Sequence, residues 1–169
     1  MAYRNKLYIA FDGDKDMLYY KTLKMWRANV NIDFEFHNAH DLKNARDTSL
    51  PESIKASLRA RMQNSKVMLL LVGENTRFLR LFVPFEIKLA RRLDIPIIVA
   101  NLNDKREYDP TRCPSSVEDG VNTVHISFQQ KIIKHALDHY PDWYHANKRS
   151  VMNHGLSYPD STYRSLGLV

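Results

Sequence analysis

Val67-Met68-Leu69-Leu70-Leu71-Val72-Gly73 decides the fold of this chain. A continuous apolar run ended by glycine is how a strand covered on both faces reads. Working outward from it, residues 6–11 read as a first strand. Residues 16–28 read as a helix with Tyr19, Leu23 and Trp26 at i, i+4, i+7, and residues 33–37 as a short alternating strand. Ser49-Leu50-Pro51-Glu52 has the form of a capping box, and Ile54, Leu58 and Met62 then repeat every four residues. After the central run, a helix opens around Pro84, residues 95–102 form a second buried strand, residues 123–128 a third, and a helix follows over 129–140. Strand and helix in alternation predict an α/β fold: a flavodoxin-like, parallel five-stranded sheet with helices on both faces. Two stretches break the alternation. Residues 103–122 form a long polar loop, of the kind that is often functional. Residues 141–169 are rich in Tyr, His, Asn and Ser without a clear period. The expected organisation is one α/β domain over 1–140 and a C-terminal extension over 141–169 that wraps the body or mediates assembly.

The chain has 169 residues, 44% of them hydrophobic, which suffices for one domain with a core. Its first residues lead straight into a strand, so a signal peptide is not expected. No apolar run approaches the roughly 18 residues of a membrane span. The single cysteine, Cys113, cannot form an internal disulfide, which suits a reducing cytoplasm. A net charge of +6 permits an anionic ligand or a nucleic acid. The basic residues are spread over several elements, however, and no zinc-finger, RNP or Gly-Lys phosphate-loop pattern occurs. They read as a solvated surface, and nucleic acid is not an expected partner.

Open parallel sheets bind ligands at the carboxyl ends of their strands. Three segments converge there: Phe11-Asp12-Gly13-Asp14, Gly73-Glu74-Asn75-Thr76-Arg77 and the start of the Pro84 helix. Asp12-Gly13-Asp14-Lys15-Asp16 is not a calcium loop, because Leu23 stands where the twelfth-position acid belongs. A strand ending in Asp-x-Asp also resembles the haloacid dehalogenase-type magnesium phosphatases, but the later strand ends with one acid, Glu74, where that family has a pair. A receiver-type aspartate, a flavin loop and a dinucleotide Gly-x-Gly-x-x-Gly are absent. His135 and His139 share a helix face without a third zinc ligand, and His37, His40 and Asp41, which follow the second strand, either border the cleft or form a structural loop cluster. No metal site is expected.

Glu86 lies on a stripe with Phe82, Leu89, Ala90 and Leu93, all apolar. Two readings are open. Glu86 is a first-turn acid favoured by the helix dipole, or it is a carboxylate at the rim of the ligand cleft.

The string Leu71-Val72-Gly73-Glu74-Asn75-Thr76, then Phe82-Val83-Pro84-Phe85-Glu86-Ile87, then Pro96-Ile97-Ile98, resembles the TIR-like family that includes the Thoeris anti-phage protein. The opening Tyr8-Ile9-Ala10-Phe11-Asp12 fits the same family, and the likeness spans about residues 5–135. The resemblance implies a TIR-type fold and cleavage of the nicotinamide–ribose bond of NAD⁺, often with cyclisation of ADP-ribose to a signalling nucleotide. NAD⁺ is then substrate, no separate cofactor is implied, and an effector is reached through the product. The resemblance makes Glu86 the catalytic residue, preceded four residues earlier by the aromatic Phe82. Phe11, Asp12, Asn75, Thr76, Arg77 and Phe82 become the substrate-binding set, with Phe11 or Phe82 stacking on a ring and Arg77 facing the pyrophosphate. The family's usual first-loop Ser or Tyr is replaced here by Asp12-Gly13-Asp14. Two alternatives stand beside this reading: a non-catalytic TIR-like adaptor that assembles with a partner, and an Asp-x-Asp magnesium-dependent phosphohydrolase.

Overall fold

In the computed structural model, which describes residues 7–28, 36–37, 51–147 and 156–168, the apolar run Val67–Val72 is strand β3, and all of it is buried. It pairs in parallel with β1 (Leu7–Ala10) on one side and β4 (Ile97–Asn101) on the other. Beyond β1 lies β2 (Phe36–His37), and beyond β4 lies β5 (Thr123–Ser127). The order β2-β1-β3-β4-β5, parallel throughout, is the flavodoxin-like arrangement expected from the alternation. A sixth strand, β6 (Leu156–Ser157), adds itself in parallel to the β5 edge. Two residues carry no readable alternation, so the sequence does not announce it.

Among the described residues five α-helices cover the sheet: α1 (Met17–Ala28), α2 (Pro51–Gln63), α3 (Phe82–Arg92), α4 (Gln130–Asn147) and α5 (Asp160–Ser165). Successive strand residues point to opposite faces. Leu7, Ile9, Phe11, Leu69 and Leu71 therefore pack with residues of α1, α4 and the C-terminal segment. Tyr8, Ala10, Met68, Leu70 and Val72 pack with α2 and α3 on the other side.

On α2 the expected stripe holds, with Ile54, Leu58 and Met62 all buried. Its Ser49 cap, like His40, Asp41 and residues 33–35, lies outside the described residues. On α1 the stripe is rotated. Tyr20 and Leu23 are buried, whereas Tyr19 is 38% exposed. Tyr19 and Trp26 instead flank the seam and both meet Phe128, at 5.3 and 5.1 Å. The sequence offers adjacent tyrosines, and only the packing against the sheet selects the second.

The last long helix does not stop at 140. It runs through Pro141 to Asn147, and Tyr140, Pro141 and Tyr144 are all buried. An internal proline removes one helix hydrogen bond, and burial of its neighbours offsets that loss. Further on, Tyr163 of α5 is wholly buried, and its hydroxyl accepts the Ser127 N–H at 3.2 Å. The Arg106 guanidinium lies 4.0 Å from the Tyr163 ring and pairs with Asp160 at 3.0 Å. The described part of residues 141–169 thus contributes a strand and a core side chain to the same sheet. Among the described residues no helix is long and apolar enough to cross a membrane.

Candidate functional site

Where β1 and β3 lie side by side, the chain leaves them in opposite directions, toward β2 and toward β4. Such a switch point opens a crevice at the carboxyl ends of the strands. Two openings flank the β1–α1 loop here. One, of about 120 Å³, is lined by Phe11, Asp12, Gly13 and residues 79–83. The other, of about 470 Å³, is lined by Lys15, Asp16, Tyr19, Gly73, Glu74, Asn75, Leu102 and Arg112.

The expected binding set is divided between these openings. Phe11, Asp12 and Phe82 border the smaller cleft. Phe11 is itself buried and stacked on Tyr20, with ring centroids 4.8 Å apart and 12° between planes. Asp12 holds the loop together: its Oδ1 accepts the Asp14 N–H at 3.0 Å and its carbonyl the Asp16 N–H at 2.9 Å. Asn75 borders the larger opening. Thr76 and Arg77 line neither. Thr76 is fully buried, and its Oγ1 accepts the Gly73 N–H at 2.8 Å, closing the turn after β3. Arg77 donates to the Pro110 carbonyl and so ties that turn to the long loop. The convergence of all six on one cleft, as read from sequence, is therefore not what the structure shows. Adjacent residues in a tight turn point in different directions.

Glu86 is also placed differently from both sequence readings. Helix α3 starts at Phe82, and its first turn holds no acid. The dipole effect is confined to the terminal turn, so that account of Glu86 fails. Nor does Glu86 sit at a rim, being 0% exposed. It lies four residues beyond Phe82, on the same buried face and about 6 Å further along the helix. It faces the hydroxyl of Tyr8 on β1. Burial, then the charge of Glu86 and a hydrogen bond to it, hold the Tyr8 hydroxyl well above its ordinary pKa, while Arg61 of α2 opposes them. Glu86 is thus an ionisable side chain in an otherwise apolar layer, one turn beneath the wall of the smaller cleft.

The larger opening contains the residues that sequence reasoning missed. Asp16 is only 6% exposed. Its carboxylate lies against Gly73 so closely that a Cβ there would meet Asp16 Oδ2 at 2.4 Å and Cγ at 2.7 Å. Gly73→Ala is therefore expected to cost about 1–3 kcal/mol, read from a denaturant melt, since the added methyl and a buried carboxylate must separate. Burial, and next the charge of Asp12, raise the Asp16 pKa to about 6, with the Arg112 cation opposing. Lys15 and Glu74 face the same space. Because the folded state holds the Asp16 proton more tightly than the unfolded chain, stability falls as pH rises from about 4 through about 6. Asp16→Asn is expected to raise the melting temperature at pH 8 and to change little at pH 4. At about 1.4 kcal/mol per pH unit, the gain is on the order of 2–3 kcal/mol. Nothing in the spacing of Asp16 marks it, four residues beyond Asp12 at the end of the β1–α1 loop.

Arg112 reaches this opening because Asp109 organises the loop. Asp109 accepts from the Thr111 N–H at 2.9 Å, the Thr111 hydroxyl at 2.6 Å and the Asn103 amide at 2.8 Å. Burial alone would raise its pKa, but these hydrogen bonds and the Lys105 charge bring it to about 2. Asn101 at the end of β4 donates to the carbonyls of Lys105 and Glu107 and fixes the start of the loop. Cys113 is fully buried, and burial, first of all, pushes its thiol up to about 12. A thiol so held is a poor nucleophile at neutral pH. His135 and His139 pack ring to ring at 4.4 Å on α4, away from both openings.

No curated protein matches this chain. Among solved structures, the flavoenzyme FerB, an NAD(P)H:(acceptor) oxidoreductase from Paracoccus denitrificans, is similar at 16% identity, with a TM-score of 0.47, over 83% of this chain and 98% of that one. A family model described as the Thoeris protein ThsB, TIR-like domain, matches residues 8–107, from the first strand through the start of the long loop. That span takes in all but the first residue of β1, the turn after β3, the whole of α3 and Glu86, and exceeds half of the chain, so the protein belongs to the ThsB TIR-like domain family of the Thoeris system.

Proposed function

We propose that the protein cleaves the nicotinamide–ribose bond of NAD⁺ and that the ADP-ribose part leaves as a signalling nucleotide, free or cyclised, in anti-phage defence. The observation that carries this reading is Glu86, a carboxylate placed inside an apolar layer one helical turn from a strand-edge cleft. Burying a charge is costly unless it is compensated, so a carboxylate kept in such a place beside a cleft is a functional candidate. Membership of the Thoeris family favours the same assignment.

The chemistry asks little of the protein. Nicotinamide on a cationic ring departs as a neutral molecule and leaves an oxocarbenium-like ribose. A preorganised carboxylate stabilises that charge. Attack by water gives ADP-ribose, and attack by a nucleophile of the same molecule gives a cyclic product. The Tyr8 hydroxyl positions the Glu86 carboxylate. Since Glu86 lies beneath Phe82, this reading requires the first turn of α3 to shift when NAD⁺ enters. NAD⁺ is the substrate, no further cofactor takes part, and an effector reads the product.

One observation favours a second reading. Glu86 has no exposed surface, as suits a residue that only joins α3 to β1 in a non-catalytic TIR-like adaptor. Incubating the purified protein with NAD⁺, with and without EDTA, and with nucleotides extracted from phage-infected cells, separates the two. Nicotinamide release supports the enzyme. Its absence under all these conditions, with the fold intact, supports the adaptor.

A further inference from the structure

The larger opening lies on the α1 side of the sheet, whereas Glu86 faces the α2–α3 side with Tyr8. The cleavage chemistry makes no use of it. Asp16 there is more than nine-tenths buried, and its Oδ2 has no hydrogen-bond partner among the described residues. Loss of a partner for a buried acceptor is destabilising unless something else donates to it. The same space is bordered by the cations of Lys15 and Arg112 and by Tyr19, whose ring meets Phe128 edge-on and keeps 38% of its surface exposed.

The groups discriminate among ligands. A simple anion meets the Asp16 and Glu74 carboxylates. A simple cation meets Lys15 and Arg112. A molecule that carries hydroxyl donors at one end and a phosphate at the other satisfies both sets. Hydroxyls of a ribose donate well to a buried carboxylate, and a phosphate pairs with a guanidinium and an ammonium. We propose that the cavity between the β1–α1 loop, the turn after β3 and Arg112 is a ribose-phosphate site, distinct from the Glu86 cleft. The sugar hydroxyls donate to the Asp16 carboxylate, the phosphate lies between Lys15 and Arg112, and a base, when the ligand is a nucleotide, rests against Tyr19. This does not depend on NAD⁺ cleavage, because occupancy is read at equilibrium.

The test is an NMR titration of the full-length protein at pH 8 with ribose 5-phosphate, 2-deoxyribose 5-phosphate, inorganic phosphate and 5′-AMP. The wild type is expected to bind ribose 5-phosphate about tenfold more tightly than the deoxy sugar or phosphate. Asp16→Asn, which should fold at least as stably at this pH, is expected to erase that preference. Arg112→Ala is expected to weaken ribose 5-phosphate and inorganic phosphate alike. Tighter binding of 5′-AMP than of ribose 5-phosphate identifies a nucleotide as the source, and equal binding identifies a free sugar phosphate. A wild type that binds none of them, that ignores the missing hydroxyl, or that keeps its preference in Asp16→Asn overturns the proposal.

Discussion

Glu86→Gln is expected to lower nicotinamide release from NAD⁺ by about two to three orders of magnitude, the usual effect of losing one preorganised electrostatic group. The substitution keeps the size and shape of the side chain and leaves an oxygen able to accept from the Tyr8 hydroxyl. What it removes is the negative charge that a cationic ribose would meet. Stability should change too, because Glu86 is buried rather than solvated at a rim. Exchanging a charge-assisted hydrogen bond for a neutral one costs about 1–2 kcal/mol. At 2–4 °C per kcal/mol for a chain of this size, the melting temperature falls by a few degrees. The two roles are thus separated by size. A structural Glu86 predicts the few degrees and unchanged turnover. A catalytic Glu86 predicts the few degrees and a hundredfold or greater loss, measured well below the melting temperature. Unchanged turnover in a variant whose wild type is active would end the enzymatic assignment.

Tyr163→Ala is expected to be the most damaging single change to stability away from the strands, at about 3–5 kcal/mol, the cost of truncating a large buried aromatic. The side chain is 0% exposed, its ring lies under the Arg106 guanidinium, and its hydroxyl accepts the N–H of the last β5 residue. Tyr163→Phe isolates the last of these contributions. It leaves the Ser127 N–H without its partner and should cost about 1–3 kcal/mol. Thermal melts of both variants beside wild type give the comparison. A Tyr163→Ala melting temperature within two degrees of wild type would show that the C-terminal segment is an appendage after all. Truncation after Tyr140 is expected to be worse still, since it removes β6, α5 and the last two turns of α4, which carry the buried Tyr144.

How much of this was legible beforehand depends on whether the deciding contact is local. Residues 67–72 announce a central strand because burial on both faces demands apolar side chains at every position. Ile54, Leu58 and Met62 announce the inner face of α2 because a helix returns to one side every 3.6 residues. From such local rules the alternation follows, and with it the parallel sheet and its strand order. The sequence by itself determined those features, since periodicity and right-handed connection leave few alternatives.

Tertiary structure decided the rest. Spacing put Glu86 on the inward stripe of α3, but only the packing of α3 against β1 shows that this stripe is covered there and that Tyr8 is its neighbour. Spacing also put Thr76 and Arg77 at the right edge, yet a one-residue turn of the backbone sends one into the protein and the other to Pro110. Asp16 and Arg112 are nearly a hundred residues apart and share no motif. They meet because the order of β1, β3 and β4 in the sheet brings three loops to one place. Tyr163 enters the core through a two-residue strand that pairs only because β5 presents an open edge. A pattern in sequence reports the face on which a residue lies. What stands opposite that face is a long-range contact, and only the folded chain supplies it.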